Sequence, residues 1–350
     1  MKERRNTRKV YIGKIPIGGD APISVQSMTN TKTKNIESTV KQIEELTNAG
    51  CEIIRVAVPD MTSASKLSEI TKMIDIPLIA DIHFNYKLAL EAIARGVDGL
   101  RINPGNIGNK DRVKKIVKKA KNKNIPIRIG INSGSIEKEL LKKHGHPSAE
   151  AMVESAEKHI KILEKYNFKD IIISLKSTDI WMTLKAHQLL AEKVNYPFHI
   201  GITEAGAGTS GIIKSATGIG SLLTRGYGDT MRISLTGNPV KEVEVAWEIL
   251  KSLNLRERGP EIISCPTCGR TRIDLEKVAQ EVKENLQNVN KSINIAVMGC
   301  EVNGPGEARE ADIGIAGGKH KGYIFKQGQL IKEVKEDKLV DSLMEEIKKL

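Results

Sequence analysis

Aromatic side chains make up only 3% of this 350-residue chain. Proteins that read single-stranded nucleic acid by stacking bases need more rings than that. No run of about 18 apolar residues occurs, so no membrane span is expected. Cysteine is sparse too, at four residues, which excludes a disulfide scaffold and points to a reducing compartment. The basic start, residues 1–6, has no apolar core behind it. A secretory signal is therefore not expected, and the chain reads as a soluble, intracellular, cytoplasmic protein.

Positive charge is what the chain has in excess, with a net +12. That surplus raises nucleic acid as a partner. Much of it, however, is lysine spaced along helices, as in residues 110–121, the pattern of a solvated helix face. A Lys/Glu-rich surface is also a habit of heat-stable proteins. With so few aromatics, nucleic acid is the weaker reading.

The cysteines that exist are clustered. Cys265 and Cys268 sit in a Cys-x-x-Cys turn, and Cys300 follows the apolar run 293–298, which reads as a short buried strand. Three thiols gathered this way suit zinc or an iron–sulfur cluster. Structural zinc wants a fourth closed ligand, and His320 leaves a Cys3His site open. A cubane cluster tolerates one weak ligand, and Glu307 follows Cys300 across a turn-forming Asn303, Gly304, Pro305 and Gly306. Cys51 stands apart, at the entry to an early strand, and reads as packing.

From residue 23 onward a unit repeats eight times: a short β-branched run, a polar tip and a helix-period segment closed by Gly, Asn or Pro. Eight βα units in roughly 230 residues fit the size of a TIM barrel; an open doubly wound sheet competes less well with a count of eight. A hairpin over residues 9–18 precedes them. The expected layout is a barrel domain over residues 1–254, a linker at 255–260 and a small α/β domain over 261–350. In the small domain a helix is expected over 274–289, strands at 293–298 and 311–316, a hairpin over 323–334 and a helix over 338–350.

Cations recur on the barrel strands. Arg55, Arg101, Arg128, Lys176 and Arg232 come from strands two, four, five, six and eight. Strands of a barrel converge on one axis, so five such charges need something anionic among them. The strands supply few acids, chiefly Asp81 and Glu204, so a phosphate-rich ligand is the better partner, and arginine forks suit phosphate oxygens. Asn103, Asn132, Ser234 and Thr236 at strand ends can bond the same oxygens. The loop 206–211 has a G-x-G-x-x-G form without the ribose-binding acid of a dinucleotide site; after strand seven of a barrel it reads as a phosphate loop. Asp81 and His83 read as a hydrogen-bonded pair within the barrel rather than an acid–base couple, and Glu204 as the strongest acid candidate.

Seven segments together, SVQSMTN (24–30), LRINPGN (100–106), GINSG (130–134), TEAG (203–206), RISLT (232–236), CPTCG (265–269) and MGCEVNGPGE (298–307), resemble the 4-hydroxy-3-methylbut-2-enyl diphosphate synthase family. The likeness spans nearly the whole chain, in the shorter, bacterial two-domain form. It implies reductive ring opening and dehydration of 2-C-methyl-D-erythritol 2,4-cyclodiphosphate in the methylerythritol phosphate route to isoprenoids, with electrons from ferredoxin or flavodoxin. It implies a 4Fe–4S cluster held by Cys265, Cys268, Cys300 and Glu307. It also implies a homodimer in which the cluster domain of one subunit closes the barrel of the other. Arg55, Arg101, Arg128, Lys176 and Ser234 would hold the diphosphate, with Glu204 near the reacting carbons; His83, Asn103 and Asn132 match less diagnostic positions. Two other readings remain open: a barrel with a structural zinc module that binds nucleic acid, and a metal-free barrel enzyme of the pterin-condensing kind.

Overall fold

A computed structural model describes residues 3–286, 289, 291–301 and 311–350. It divides into two compact units, Met1–Arg256 and Glu257–Leu350.

In the first unit a hairpin of β1 (Val10–Ile12) and β2 (Ile15–Ile17) precedes eight barrel strands. These are β3 (Ser24–Met28), β4 (Ile53–Ala57), β5 (Leu78–Asp81), β6 (Gly99–Arg101), β7 (Ile127–Asn132), β8 (Ile171–Lys176), β9 (His199–Ile200) and β10 (Thr230–Met231). Every neighbouring pair is parallel, in the order β8-β7-β6-β5-β4-β3-β10-β9. A bridge from Ile173 to Phe198 joins the two ends, with Ile173 N–H donating to the Pro197 carbonyl at 3.0 Å. The ring is thus closed, as eight βα repeats require.

The helices are α1 (Ile36–Ala49), α2 (Met61–Met73), α3 (Tyr86–Ala94), α4 (Lys110–Asn122), α5 (Lys138–His144), α6 (Ala149–Glu164), α7 (Ile180–Ala191), α8 (Gly208–Leu223) and α9 (Pro239–Ser252). Most start on a short polar side chain that caps free backbone N–H groups: Asn35, Asp60, Asn85, Asn109, Ser148, Asp179 and Asn238. The helical region after β7 is split in two. Gly145 takes a left-handed φ of 77°, Pro147 cannot continue the helix, and Ser148 caps a fresh start.

Alternation along each strand decides what lies inside the ring. Ile54, Val56, Leu78 and Ala80 face out into the main core against the helices. Ile53, Ile79 and Ile172 face in and pack on Val10, Ile12 and Ile17 of the hairpin. This apolar layer floors the barrel at the amino ends of its strands. Two residues further along, the inward positions become Arg55, Asp81 and, after Ile172 and Ser174, Lys176. The floor therefore sets the depth at which charge begins.

The ladder is shortest in the last two strands, where two residues each pair rather than the longer runs expected at 198–204 and 230–235. Gly201 explains part of this. A Cβ there would lie 2.5 Å from both the Arg232 carbonyl oxygen and Lys176 Nζ, so the backbones close in as no other residue allows. Cys51 is packing, as expected: it is 3% exposed, its thiol points at the Ile53 carbonyl, and burial pushes its pKa up to about 12.

The second unit is one five-stranded sheet, β11 (Glu261–Ser264), β12 (Asn294–Met298), β13 (Ile313–Gly318), β14 (Lys321–Lys326) and β15 (Gln329–Lys335), in that order. The first three strands run parallel, and β14 and β15 join antiparallel. Helices α10 (Leu275–Asn285) and α11 (Leu339–Ile347) contribute Val282, Leu339 and Leu343 to a core with Ile295, Val297, Ile313, Ile315 and Ile324. Strand β11 had no counterpart in the sequence reading; its four residues, EIIS, are half-exposed and carry too little alternation to signal a strand.

Candidate active site

The carboxyl ends of the barrel strands gather five cations around two acids. Asp81, Arg101 and Arg128 stand side by side in register on β5, β6 and β7. Asp81 lies 3.6 Å from Arg55 Nε and 3.5 Å from an Arg101 terminal nitrogen. Burial alone would raise its pKa, but Arg55, Arg101 and Arg128 together hold the carboxyl below the usual range. It is an anion wedged among guanidiniums. His83 is the outermost member, 59% exposed, with Nε2 3.6 Å from Asp81 and Arg101 3.3 Å from its ring. The expected Asp81–His83 pairing is present only as this loose contact.

The second acid is Glu242, on α9, which the sequence reading did not single out. It is 3% exposed and sits 3.3 Å from Arg232. It also accepts from Leu235 N–H at 2.9 Å and Ser27 Oγ at 3.4 Å. A signal existed. Pro239, Val243, Ala246 and Leu250 form the buried stripe of that helix, and Glu242 falls on it. A carboxylate on a core-facing stripe needs a buried cation. The expectation of few acids named only those on the strands, Asp81 and Glu204; Glu242 adds one from a helix. Glu204 is exposed, with a left-handed φ of 50°.

Arg55 and Arg232 both reach the Met28 sulfur, at 3.1 and 3.8 Å. Arg128 is 4% exposed; one terminal nitrogen donates to Gln26 Oε1 at 3.4 Å, and its Nε has no partner among the described residues. Burial, with like-charged neighbours, pushes Arg128 well below its ordinary pKa and Arg55 down to about 10. Guanidiniums start so high that both stay charged at neutral pH. Lys176 is 8% exposed and has His199 Nε2 as its hydrogen-bond partner, at 3.2 Å. Five cations against two carboxylates leave a formal surplus of three positive charges when every group is ionised.

The remaining expected residues divide. Asn103 is committed to structure: its amide donates to the Gly130 carbonyl at 2.9 Å and accepts from Gly130 N–H at 3.0 Å. Arg101 donates to the same carbonyl at 3.0 Å and lies over Gly130, where a Cβ would sit 2.7 Å from its Nε. Asn132 and Ser234 are half-buried at the ends of their chain segments. The glycine-rich segment 206–211, expected as a loop, is mostly helix: α8 starts at Gly208, so only Gly206 and Ala207 precede it, and Thr236 N–H donates to the Gly206 carbonyl at 3.1 Å. A brace beneath the mouth was also missed. Gly105 N–H donates to His159 Nδ1 at 2.9 Å, and His159 Nε2 meets Glu137 at 3.1 Å, tying the loops after β6 and β7 together.

In the small unit, β11 and β12 run parallel, with Ser264 opposite Val297. Cys265 and Cys300 therefore leave neighbouring strands at the same end of the sheet, as the run into Cys300 predicted. Gly299 N–H donates to Cys265 Sγ at 3.2 Å. Cys268 is exposed, and its thiol pKa is lowered first by the Arg270 backbone N–H. Thiols that accept backbone N–H bonds and ionise readily suit metal ligation. Among the described residues, no three Cys, His, Asp or Glu side chains yet enclose one point. Glu307 lies outside the described residues.

A closed barrel with a floored, cation-lined mouth, followed along the chain by a separate cysteine-bearing α/β unit, defines a two-domain TIM-barrel protein. The GcpE TIM-barrel domain matches residues 7–247 and the GcpE C-terminal domain residues 261–349, so the chain belongs to the GcpE family. It is 58% identical over 349 residues to the 4-hydroxy-3-methylbut-2-en-1-yl diphosphate synthase (flavodoxin) of Thermodesulfovibrio yellowstonii, covering 100% of both chains. It is 59% identical over 345 residues to the enzyme of the same name from Clostridium acetobutylicum, covering 99% of each. Among solved structures, a Yersinia pestis dihydropteroate synthase matches 70% of this chain and 98% of its own at a TM-score of 0.50 and 10% identity. A Geobacillus kaustophilus 3-dehydroquinate dehydratase matches 71% and 98% at 0.50 and 13%. At such identities the likeness is of fold alone.

Glu242→Ala should leave Arg232 buried without its acid and lower the unfolding free energy of the barrel by about 3–5 kcal/mol, read from denaturant melts. A loss under about 1 kcal/mol would show that Arg232 does not depend on it.

Proposed function

We propose that this protein reductively opens and dehydrates 2-C-methyl-D-erythritol 2,4-cyclodiphosphate to 4-hydroxy-3-methylbut-2-enyl diphosphate, a two-electron step of the methylerythritol phosphate route to isoprenoids. The observation that carries the reading is the surplus of buried cations at one barrel mouth, in a chain whose family match runs through both units. Curated relatives over full length bear the name of this enzyme, with flavodoxin as its electron donor. Flavodoxin is the donor assigned here. The cytoplasm is the compartment this chemistry requires, and among the described residues no helix is long and apolar enough to cross a membrane.

Arg55, Arg101, Arg128, Lys176 and Arg232 bind the cyclic diphosphate, with Ser234 and Asn132 bonding its outer oxygens. Their charge grows in value as the ring opens, because the diphosphate oxygen released from carbon gains negative charge in the transition state. The apolar floor of Ile53, Ile79 and Ile172 keeps water from below, and a low-dielectric hollow strengthens each of these contacts. Asp81 and Glu242 hold the guanidiniums in place without a ligand. Asn103 and the Glu137–His159 brace fix the loops that carry them. Glu204, exposed just after β9, is the group assigned to exchange a proton with the substrate.

Cys265, Cys268 and Cys300 would hold three irons of a 4Fe–4S cluster, with Glu307 the fourth ligand. When bound, the cluster supplies the two electrons, one at a time. The donor set fits: three thiols, one of them with a lowered pKa, at one end of two parallel strands. The same end of the sheet and the family match favour a cluster over the zinc module considered above. A homodimer in which the cluster domain covers the partner's barrel is also proposed. The exposed apolar side chains Phe84 (72%) and Trp181 (76%), which follow β5 and open α7 at the mouth, support it.

Arg128→Met should weaken substrate binding by about 2–5 kcal/mol, at least ~30-fold, since it strips one buried charge from the cradle; an unchanged KM and Kd would remove Arg128 from it. Protein reconstituted without oxygen should carry about four irons and four sulfides per chain, and Glu307→Ala should fold normally while losing iron faster. One zinc per chain with no visible absorption would contradict the cluster.

A further inference from the structure

Among the groups at the mouth, Lys176 and His199 stand apart. Lys176 Nζ lies 3.2 Å from His199 Nε2 and makes no ion pair with a carboxylate among the described residues. His199 is 0% exposed, and its Nδ1 has no hydrogen-bond partner. Gly201, two residues beyond His199, has no Cβ where Lys176 Nζ sits, so on that side the amine is seated against backbone. The charged groups that bear most on the pair are Arg128 on β7, Arg55 on β4 and Arg232 beyond β10, with the Glu242 carboxylate on α9 opposing them at Lys176.

We propose that Lys176 and His199 form a neutral pair in the empty barrel, and that arrival of a diphosphate draws one proton from solvent onto Lys176. His199 is then a positioning residue, which no sequence motif marked. Its Nε2–H is donated to the lone pair of the uncharged amine. Once the ammonium forms, it has only donors to offer; it turns them on phosphate oxygens and on Nε2 of His199, whose single proton moves to Nδ1 so that the imidazole stays neutral. Burial, with Arg128 and Lys176 beside it, pushes the His199 pKa well down, and burial with Arg128 and Arg232 does the same to Lys176. Both shifts favour the uncharged forms until an anion arrives. The empty site thereby carries one positive charge fewer than its formal count, and regains it on binding.

This inference rests on the diphosphate-cradle reading, and the test separates the two. Inorganic pyrophosphate serves as a probe that needs no electrons. Its binding to the full-length protein is followed by titration calorimetry at pH 7.5 in buffers of differing ionisation enthalpy. Lys176→Arg carries a cation that cannot titrate, and Lys176→Met serves where arginine does not fit. The ligand's own proton exchange is common to all proteins and drops out of the difference. Wild type should take up close to one proton more per site than either variant. Its affinity should fall with rising pH by up to ~10-fold per unit more steeply than that of Lys176→Arg. His199→Leu removes the donor that stabilises the uncharged amine, so it should take up measurably fewer protons than wild type on binding pyrophosphate, whereas His199→Gln, which keeps a hydrogen-bonding group, should stay close to wild type. Equal proton counts in wild type and variants would overturn this proposal alone. Absence of pyrophosphate binding in every protein would overturn the cradle as well.

Discussion

Five like charges brought to one axis are the constraint this barrel is built around. Two unit charges at about 4 Å repel by about 4 kcal/mol at an effective dielectric near 20, and each buried ion forfeits several kcal/mol of hydration besides. The fold answers with two embedded acids. Asp81 separates Arg55 from Arg101, and Glu242 reaches in from α9 to hold Arg232. The two together do not neutralise the site, and the remaining positive charge is what the proposed function assigns to a polyanion. The floor matters for the same reason: Ile53, Ile79 and Ile172 on the hairpin seal one end of the ring, so charge is compensated only from the open end.

The second unit solves a different problem with simpler means. Parallel pairing of β11 and β12 delivers Cys265 and Cys300 to one end of a sheet, and a tight turn adds Cys268. In the function proposed here chemistry is thus divided: one module would grip charge and the other would handle electrons. A protein organised this way can tune the diphosphate grip and the redox centre without redesigning either.

Much of the barrel was legible in the sequence because its strands are buried on both faces and its helices carry one apolar stripe. Val40, Ile43 and Leu46 marked α1, and Gly50 marked its end, where φ is 105°. The inward cations stood out because arginine is rare inside β-branched runs. What escaped notice acts across the chain. Glu242 is held to Arg232 by tertiary contact, His199 matters only for the Lys176 beside it, and Glu137 with His159 braces loops that the sequence keeps apart. Asn103, expected at the ligand, makes a paired contact with the Gly130 peptide that the sequence did not signal. Strand β11 and the split between α5 and α6 were lost to weak alternation and to a single left-handed glycine.

The central claim is that the cationic hollow is an incomplete structure which a diphosphate completes. Thermal unfolding of the full-length protein, with and without inorganic pyrophosphate, tests it most directly. At about 100 times Kd the ligand should contribute ~2.7 kcal/mol and raise the barrel transition by roughly 5–10 °C, with the rise largely gone in Arg128→Met. A transition indifferent to pyrophosphate, or one that rises equally without Arg128, would contradict the account.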